Sequence, residues 1–390
     1  MSQHAPPDTT TGPGSVPRTR LHYVDNLRVA MTVLVVLHHA ALTYSNIPVW
    51  FYLEPVGDAT AGLLDLFIIL NQTYFMGLFF LLAGYFTPGS ADRRGGRGFV
   101  RERLVRLGVP FLLFVLLVRP LLMIPPYQSA AAEGLIGDMP FWLFAIVSYD
   151  PGPMWFVEVL LVFGLAYALI RRLRRDRAQE PAPRPADGAR LRWLWPVVGF
   201  TLALAAVSFL WRWVNPSPYY WPILGLPSPN YLPQYIALFV VGVVAFRHNW
   251  FTRLPGAAGW YGAVTALVAL VAFFVGQGVL AGGAEVAAGT PQALVLMVLE
   301  TFQSVGTILA LLVFFRRFVT GGGPVARFLS DNAFAVYVLH PLVLVAGGVL
   351  LAGWEAPAAV KFLGLSALAV PGCWALAAAV RAIPGAKKIL

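Results

Sequence analysis

The chain has 390 residues, of which 58% are hydrophobic and only 12% are charged. A soluble domain of this length carries about twice that share of charge, so the composition excludes an ordinary soluble protein and points to a multi-pass membrane protein. The net charge of +10 does not indicate nucleic-acid binding, because the basic residues sit in short runs between apolar segments, the pattern that sets membrane orientation and favours anionic lipid headgroups.

The first segment, 1–20, reads MSQHAPPDTTTGPGSVPRTR and is expected to be a disordered cytoplasmic tail. It lacks a short apolar core followed by a small-residue cleavage site, so the first apolar segment is expected to stay as a permanent span. Residues 21–390 are then expected to form one all-α polytopic membrane domain. About ten transmembrane helices are predicted by length and apolar content. They fall at 27–45, 63–86, 104–124, 154–171, 194–213, 231–247, 258–281, 292–315, 332–352 and 357–381. The stretch 134–148, GLIGDMPFWLFAIVS, is short for a span and reads as an interfacial or re-entrant helix.

Basic residues cluster after the even-numbered spans, around 93–106, 171–192, 247–253, 316–327 and 381–388. The other connections carry Glu54, Asp58, Glu133, Asp138, Asp150, Glu285 and Glu355, with only Arg119, Arg212 and Lys361 on that side. This alternation predicts both termini in the cytoplasm, with the Arg- and Pro-rich stretch 172–192 as a cytoplasmic linker. No inverted internal repeat of the transporter kind is visible.

The first span, LRVAMTVLVVLHHAALTY (Leu27–Tyr44), holds Arg28, His38 and His39. An ionisable residue inside a span is costly and marks a functional site by default. From Arg28 to His39 the helix turns about 1100°, which leaves an offset of only about 20°. Arg28, Thr32, Val35 and His39 therefore share one stripe, extended by Asp25 and Thr43, whereas His38 lies on another face and reads as structural or as support to His39. The stripe climbs about 16 Å, placing an anion anchor near the inner mouth and a base deep in the membrane. That suits a long donor with phosphates at one end and a reactive group at the other. Taken singly, Arg28 is open to a snorkelling role and His39 to a helix–helix hydrogen bond; their pairing on one stripe favours a joint function.

Further along, Asp65, Asn71 and Gln72 in span two, and Glu300 and Gln303 on one face of span eight, suit either an acceptor pocket or structural hydrogen bonds. Trp50, Phe51, Tyr219, Tyr220 and Trp221 lie near outer connections and read as an interfacial belt rather than a sugar platform. His340 precedes Pro341 inside span nine and reads as a buried polar anchor. The one cysteine, Cys373, excludes an intrachain disulfide, and the six histidines lack a metal-binding spacing, so no metal is expected. The abundance of Ala, Gly and Pro, and of Arg over Lys, points to a GC-rich bacterial genome.

The stretch YVDNLRVAMTVLVVLHHAALTY resembles the first helix of the acyltransferase 3 family, whose Arg, ten residues, then His pattern is here Arg28 to His39. Its DNLR opening and HHAALTY close most resemble the branch of that family concerned with glucan biosynthesis. FMGLFFLLAGYFT (75–87) is similar to the family's Phe-rich second helix, and FVRERLVRLGVP (99–110) to its Arg-x-x-Arg element, here Arg103 and Arg106. GPMWFVEVLLVF (152–163), YLPQYIALFVVGVVAF (231–246) and LSDNAFAVYVLHPLVLV (329–345, with Tyr337 and His340) resemble later family elements, so that the likeness covers about 22–388.

The resemblance implies ten core helices in a bacterial inner membrane. It implies transfer of an acyl group, acetyl or succinyl, from cytoplasmic acyl-CoA to a hydroxyl of a carbohydrate or lipid-linked acceptor. In this reading His39 is the general base, with an acyl-His intermediate as the alternative, and Arg28 orients the donor. Arg103 and Arg106, on one helical face, with Arg101, take the CoA phosphates through forked hydrogen bonds; plain positive-inside charge is the other reading. Glu158, three residues after Trp155, is assigned to hold the His39 tautomer, as the acid does in a triad. The chain shows no soluble extracellular domain, so the membrane domain is expected to perform the transfer or to pass the acyl group to a partner. A glycan or lipid-precursor transporter is the alternative from another class, and a bare scaffold leaves the buried charges unexplained.

Overall fold

The computed structural model describes residues 21–174, 193–216, 221, 225–226, 228–282 and 286–390. The expected tail 1–20 and all but the first residues of the 172–192 linker lie outside the described residues, as do Tyr219, Tyr220 and Glu285. Among the described residues the chain is all-helical, apart from one bridge between Trp221 and Leu226. In chain order the helices are α1 (His22–Tyr44), α2 (Ala61–Arg103), α3 (104–122), α4 (Ile124–Ala132), α5 (Phe141–Val147), α6 (Trp155–Arg174), α7 (Leu194–Val214), α8 (Leu232–Arg247), α9 (Trp250–Arg253), α10 (Gly256–Ala281), α11 (Pro291–Phe318), α12 (Pro324–Leu350) and α13 (Ala358–Ala382).

The protein is a multi-pass membrane protein with nine stretches, among the described residues, long and apolar enough to cross a bilayer. The difference from ten has one source. The second and third expected spans fall in a single helical run, Ala61–Ala132. That run is kinked within the sequence RRGGRG, where Gly95 adopts φ 68° and ψ 171°, a conformation open to a residue without Cβ. The expected interfacial stretch is the short α5, followed through a 3-10 turn by α6.

α1 is central, packed against α2, α11, α12 and α13. α10 is peripheral and rests on α11, where a Cβ on Gly262 would come within 2.6 Å of the Gly306 carbonyl oxygen. Small residues let the two backbones touch, which is how helices associate in lipid. Polar side chains tie α2, α8 and α11 inside the bundle. Thr73 donates to Gln303 at 2.7 Å, and Gln234 donates to Ser304 and to the Thr73 carbonyl, both at 2.8 Å.

The three basic residues that break the charge alternation are all held internally. Arg212 makes a two-pronged pair with Glu300 at 2.7 and 2.8 Å. Lys361 is bonded to Glu54, and Arg119 donates to the carbonyls of Ala145, Ser148 and Asp150. Burying a cation beside an acid or carbonyl removes it from the charge balance that orients a membrane protein.

Candidate active site

The helix α1 is unbroken, so the stripe read from its sequence exists, and its members bond along it. Thr32 donates to the Arg28 carbonyl at 2.9 Å, and His39 Nδ1 lies 2.9 Å from the Val35 carbonyl oxygen. At the lower end Arg28 lies 3.5 Å from Asp25 and donates to the Ser330 hydroxyl at 2.8 Å, fastening α1 to α12. A carbonyl oxygen only accepts, so Nδ1 of His39 carries the hydrogen, and in the neutral ring the lone pair is then on Nε2. This is the tautomer a general base requires, and the backbone supplies it.

Three rings surround that imidazole. The Trp50 ring centre is 4.4 Å away, that of His340 4.9 Å and that of His38 5.4 Å. Trp50, expected in an interfacial belt, is thus folded back over His39. The loop 45–60 places it there. Asn46 is clamped by both Asp65 oxygens at 2.9 and 2.8 Å, and the Glu54 N–H donates to the Thr43 carbonyl at 2.8 Å. The return of this loop is a tertiary event, and no local sequence signal announces it.

Three polar atoms on the rings around His39 are buried with no hydrogen-bond partner among the described residues: Trp50 Nε1, His340 Nε2 and His38 Nδ1. His340 is fixed from its other side, with Nδ1 2.7 Å from the Tyr337 carbonyl oxygen, while the Tyr337 hydroxyl donates to the Pro153 carbonyl. Buried polar atoms are nearly always paired, and exceptions mark places where a substrate or water completes the set. His340 was visible in sequence as a histidine inside a span, but its partnership with His39 joins α12 to α1 and needed the fold. The His38 ring centre lies 5.4 Å from that of His39, and His38 is buried, with its ring stacked on Phe75 at 4.9 Å.

The other sequence-predicted residues are dispersed. Glu158 sits in the first turn of α6 with a buried, unpartnered Oε2, and the structure shows no bond from it to His39. Arg103 turns inward, donating to Thr87 at 3.3 Å with its guanidinium 5.0 Å above the Phe99 ring. Arg106 is exposed beside Glu102 at 3.5 Å, and Arg101 is exposed. Arg103 immediately precedes a π-helical turn over Leu104–Gly108, and Arg106 lies within it. Asp92 joins Arg171 at 2.8 Å and Arg247 at 2.6 Å, so part of the expected inner charge is neutralised within the bundle. Gln72 is bonded to Ser228 at 3.0 Å and Asp65, Glu300 and Gln303 are also bonded within the bundle, whereas Asn71 keeps a buried Nδ2 with no hydrogen-bond partner among the described residues.

The model of an acyltransferase domain, that of the acyltransferase 3 family, matches residues 21–378. The chain belongs to this family. The matched model describes an acyltransferase domain. The chain is similar to the Glucans biosynthesis protein C of Salmonella paratyphi A and of Salmonella agona, each 26% identical over 243 residues. The protein of that name in Salmonella heidelberg is 25% identical over the same length. Each match covers 60% of this chain and only 60% of the relative. No solved structure matches.

Proposed function

We propose that this acyltransferase moves an acetyl or succinyl group from cytoplasmic acyl-CoA to a hydroxyl of a glycan in the inner membrane or outer compartment of a bacterium. The observation that carries the reading is the hydrogen bond from His39 Nδ1 to the Val35 carbonyl, at 2.9 Å, which leaves Nε2 as a base inside a span. In this mechanism the acceptor O–H proton passes to His39 Nε2 as the oxygen attacks the thioester carbonyl carbon. The C–S bond then breaks, and the leaving thiolate takes the proton back from the imidazolium, so that CoA leaves as the thiol and the imidazole is restored.

Trp50 Nε1–H receives the carbonyl oxygen as negative charge develops on it; a preorganised donor in a water-poor site is worth most at that moment. Arg28 and Arg103 lie on the donor's side, Arg103 inside the bundle, while Arg106 and Arg101 attract phosphates at the mouth. The glycan acceptor is drawn from the name of the relatives, and the depth of His39 accords with delivery across the membrane.

The test is incubation of the purified protein in nanodiscs with acetyl- or succinyl-CoA and a short gluco-oligosaccharide, read by mass spectrometry. A mass gain of one acyl group on the sugar supports the reading. A protein that binds neither donor contradicts it and favours a transporter.

A further inference from the structure

The loop 45–60 that lays Trp50 over His39 also forms one wall of a cleft at the same end of the bundle. The turn 351–357 between α12 and α13 forms the other. The cleft encloses about 310 Å³, and Glu54, Val56, Trp354, Glu355 and Lys361 are among the residues lining it. Its walls are tied together. Asp58 accepts from the Ala358 N–H and Thr60 from the Ala359 N–H, both at 3.0 Å. Lys361 is 4% exposed and bonded to Glu54, whose carboxylate also accepts from the Tyr52 hydroxyl at 3.3 Å.

Trp354 is seated as a platform. Its indole lies against Gly364, where a Cβ would come within 2.8 Å of the ring, yet 41% of the residue stays exposed. An aromatic face held from behind, with the Glu54 and Glu355 carboxylates as acceptors at its edge, matches a pyranose, which has an apolar ring face and a rim of hydroxyls. The lining discriminates against other ligands. Two carboxylates against one ammonium disfavour an anion, and the charged lining disfavours an acyl tail.

The position fits the chemistry. The Glu54 N–H bonds to the Thr43 carbonyl, and Thr43 lies four residues, about 6 Å, beyond His39 along α1. We infer that this cleft binds a neutral hexose unit of the glycan acceptor, next to the unit that His39 deprotonates. The inference rests on the proposed transfer to a glycan and adds where the glycan is held.

The experiment measures transfer from acetyl- or succinyl-CoA to a short gluco-oligosaccharide by full-length protein in nanodiscs, with calorimetric titration of the same sugar. Trp354→Ala and Glu355→Gln are expected to raise the acceptor KM about tenfold each, a loss of one modest contact, while the donor KM stays at the wild-type value. Trp354→Phe, which keeps a ring, recovers most of the acceptor affinity. A merely structural Trp354 would shift both KM values together. Wild-type acceptor KM in both variants, or no heat from the sugar on wild-type protein that still turns over acyl-CoA, overturns the cleft and leaves the transferase reading standing. Wild-type protein that does not turn over acyl-CoA at all, yet binds the sugar with a Trp354-dependent heat, upholds the cleft and removes the transferase reading instead.

Discussion

Helices α1 and α10 are both apolar and long enough to cross a membrane, yet they occupy opposite situations. In α1, 61% of the apolar window is buried in protein; in α10 the figure is 6%. α10 contains no charged residue, and its seam with α11 includes the close approach of Gly262 to Gly306 and the packing of Gly259 on Val313. α1 carries Asp25, Arg28, His38 and His39 and is enclosed by four other long helices. Apolar content shows that a helix crosses, whereas polar content shows that it crosses inside protein, because an ionisable side chain has to face partners or water rather than lipid. The same comparison separates a helix enclosed by the bundle from one that faces lipid.

Substitutions sharpen that contrast. Trp50→Phe keeps the ring over His39 and deletes only its N–H; kcat for transfer is expected to fall about a hundredfold with little change in the donor KM. A fall in affinity alone would make Trp50 a packing residue. For the donor, Arg103→Ala is expected to raise the acyl-CoA KM about tenfold, as loss of an inward-facing charged contact. Arg106→Ala, at an exposed site, is expected to change it by no more than about twofold. Equal effects would show that their difference in exposure does not divide their roles. His38→Ala is expected to leave transfer within about tenfold of wild type, since its ring packs on Phe75 rather than facing substrate. On α10, Gly306→Leu on the facing helix is expected to cost about 2 kcal/mol by overpacking, while Val264→Ala, exposed to lipid, stays within about 0.5 kcal/mol. Thermal melts in detergent read both, and equal losses would deny that α10 is held by a single seam.

Much of this architecture was legible in sequence. The spans follow from apolar runs, the His39 stripe from helical arithmetic on Arg28, and the family from ordered motifs such as the one containing Arg103 and Arg106. What stayed hidden depends on tertiary return or local irregularity. The break at Gly95, which divides the long run into the two helices that hold spans two and three, is set by one backbone conformation. Trp50 reaches His39 only because Asp65 clamps the turn at Asn46. Glu158 looked like the group that fixes the imidazole, but a helical carbonyl four residues back performs that task, and such a bond leaves no mark in residue types. Arg103 and Arg106 look alike in sequence, yet Arg103 faces inward while Arg106, within a π-helical turn, is exposed.

The most direct test is the release or transfer of radiolabel from acetyl- and succinyl-CoA by purified protein in nanodiscs, supplied with a short gluco-oligosaccharide, comparing wild type with His39→Ala at equal protein level. Transfer by the wild type that drops about a thousandfold in the variant, as loss of a general base requires, is the result expected. Transfer that survives His39→Ala would contradict the assignment of His39 as the base.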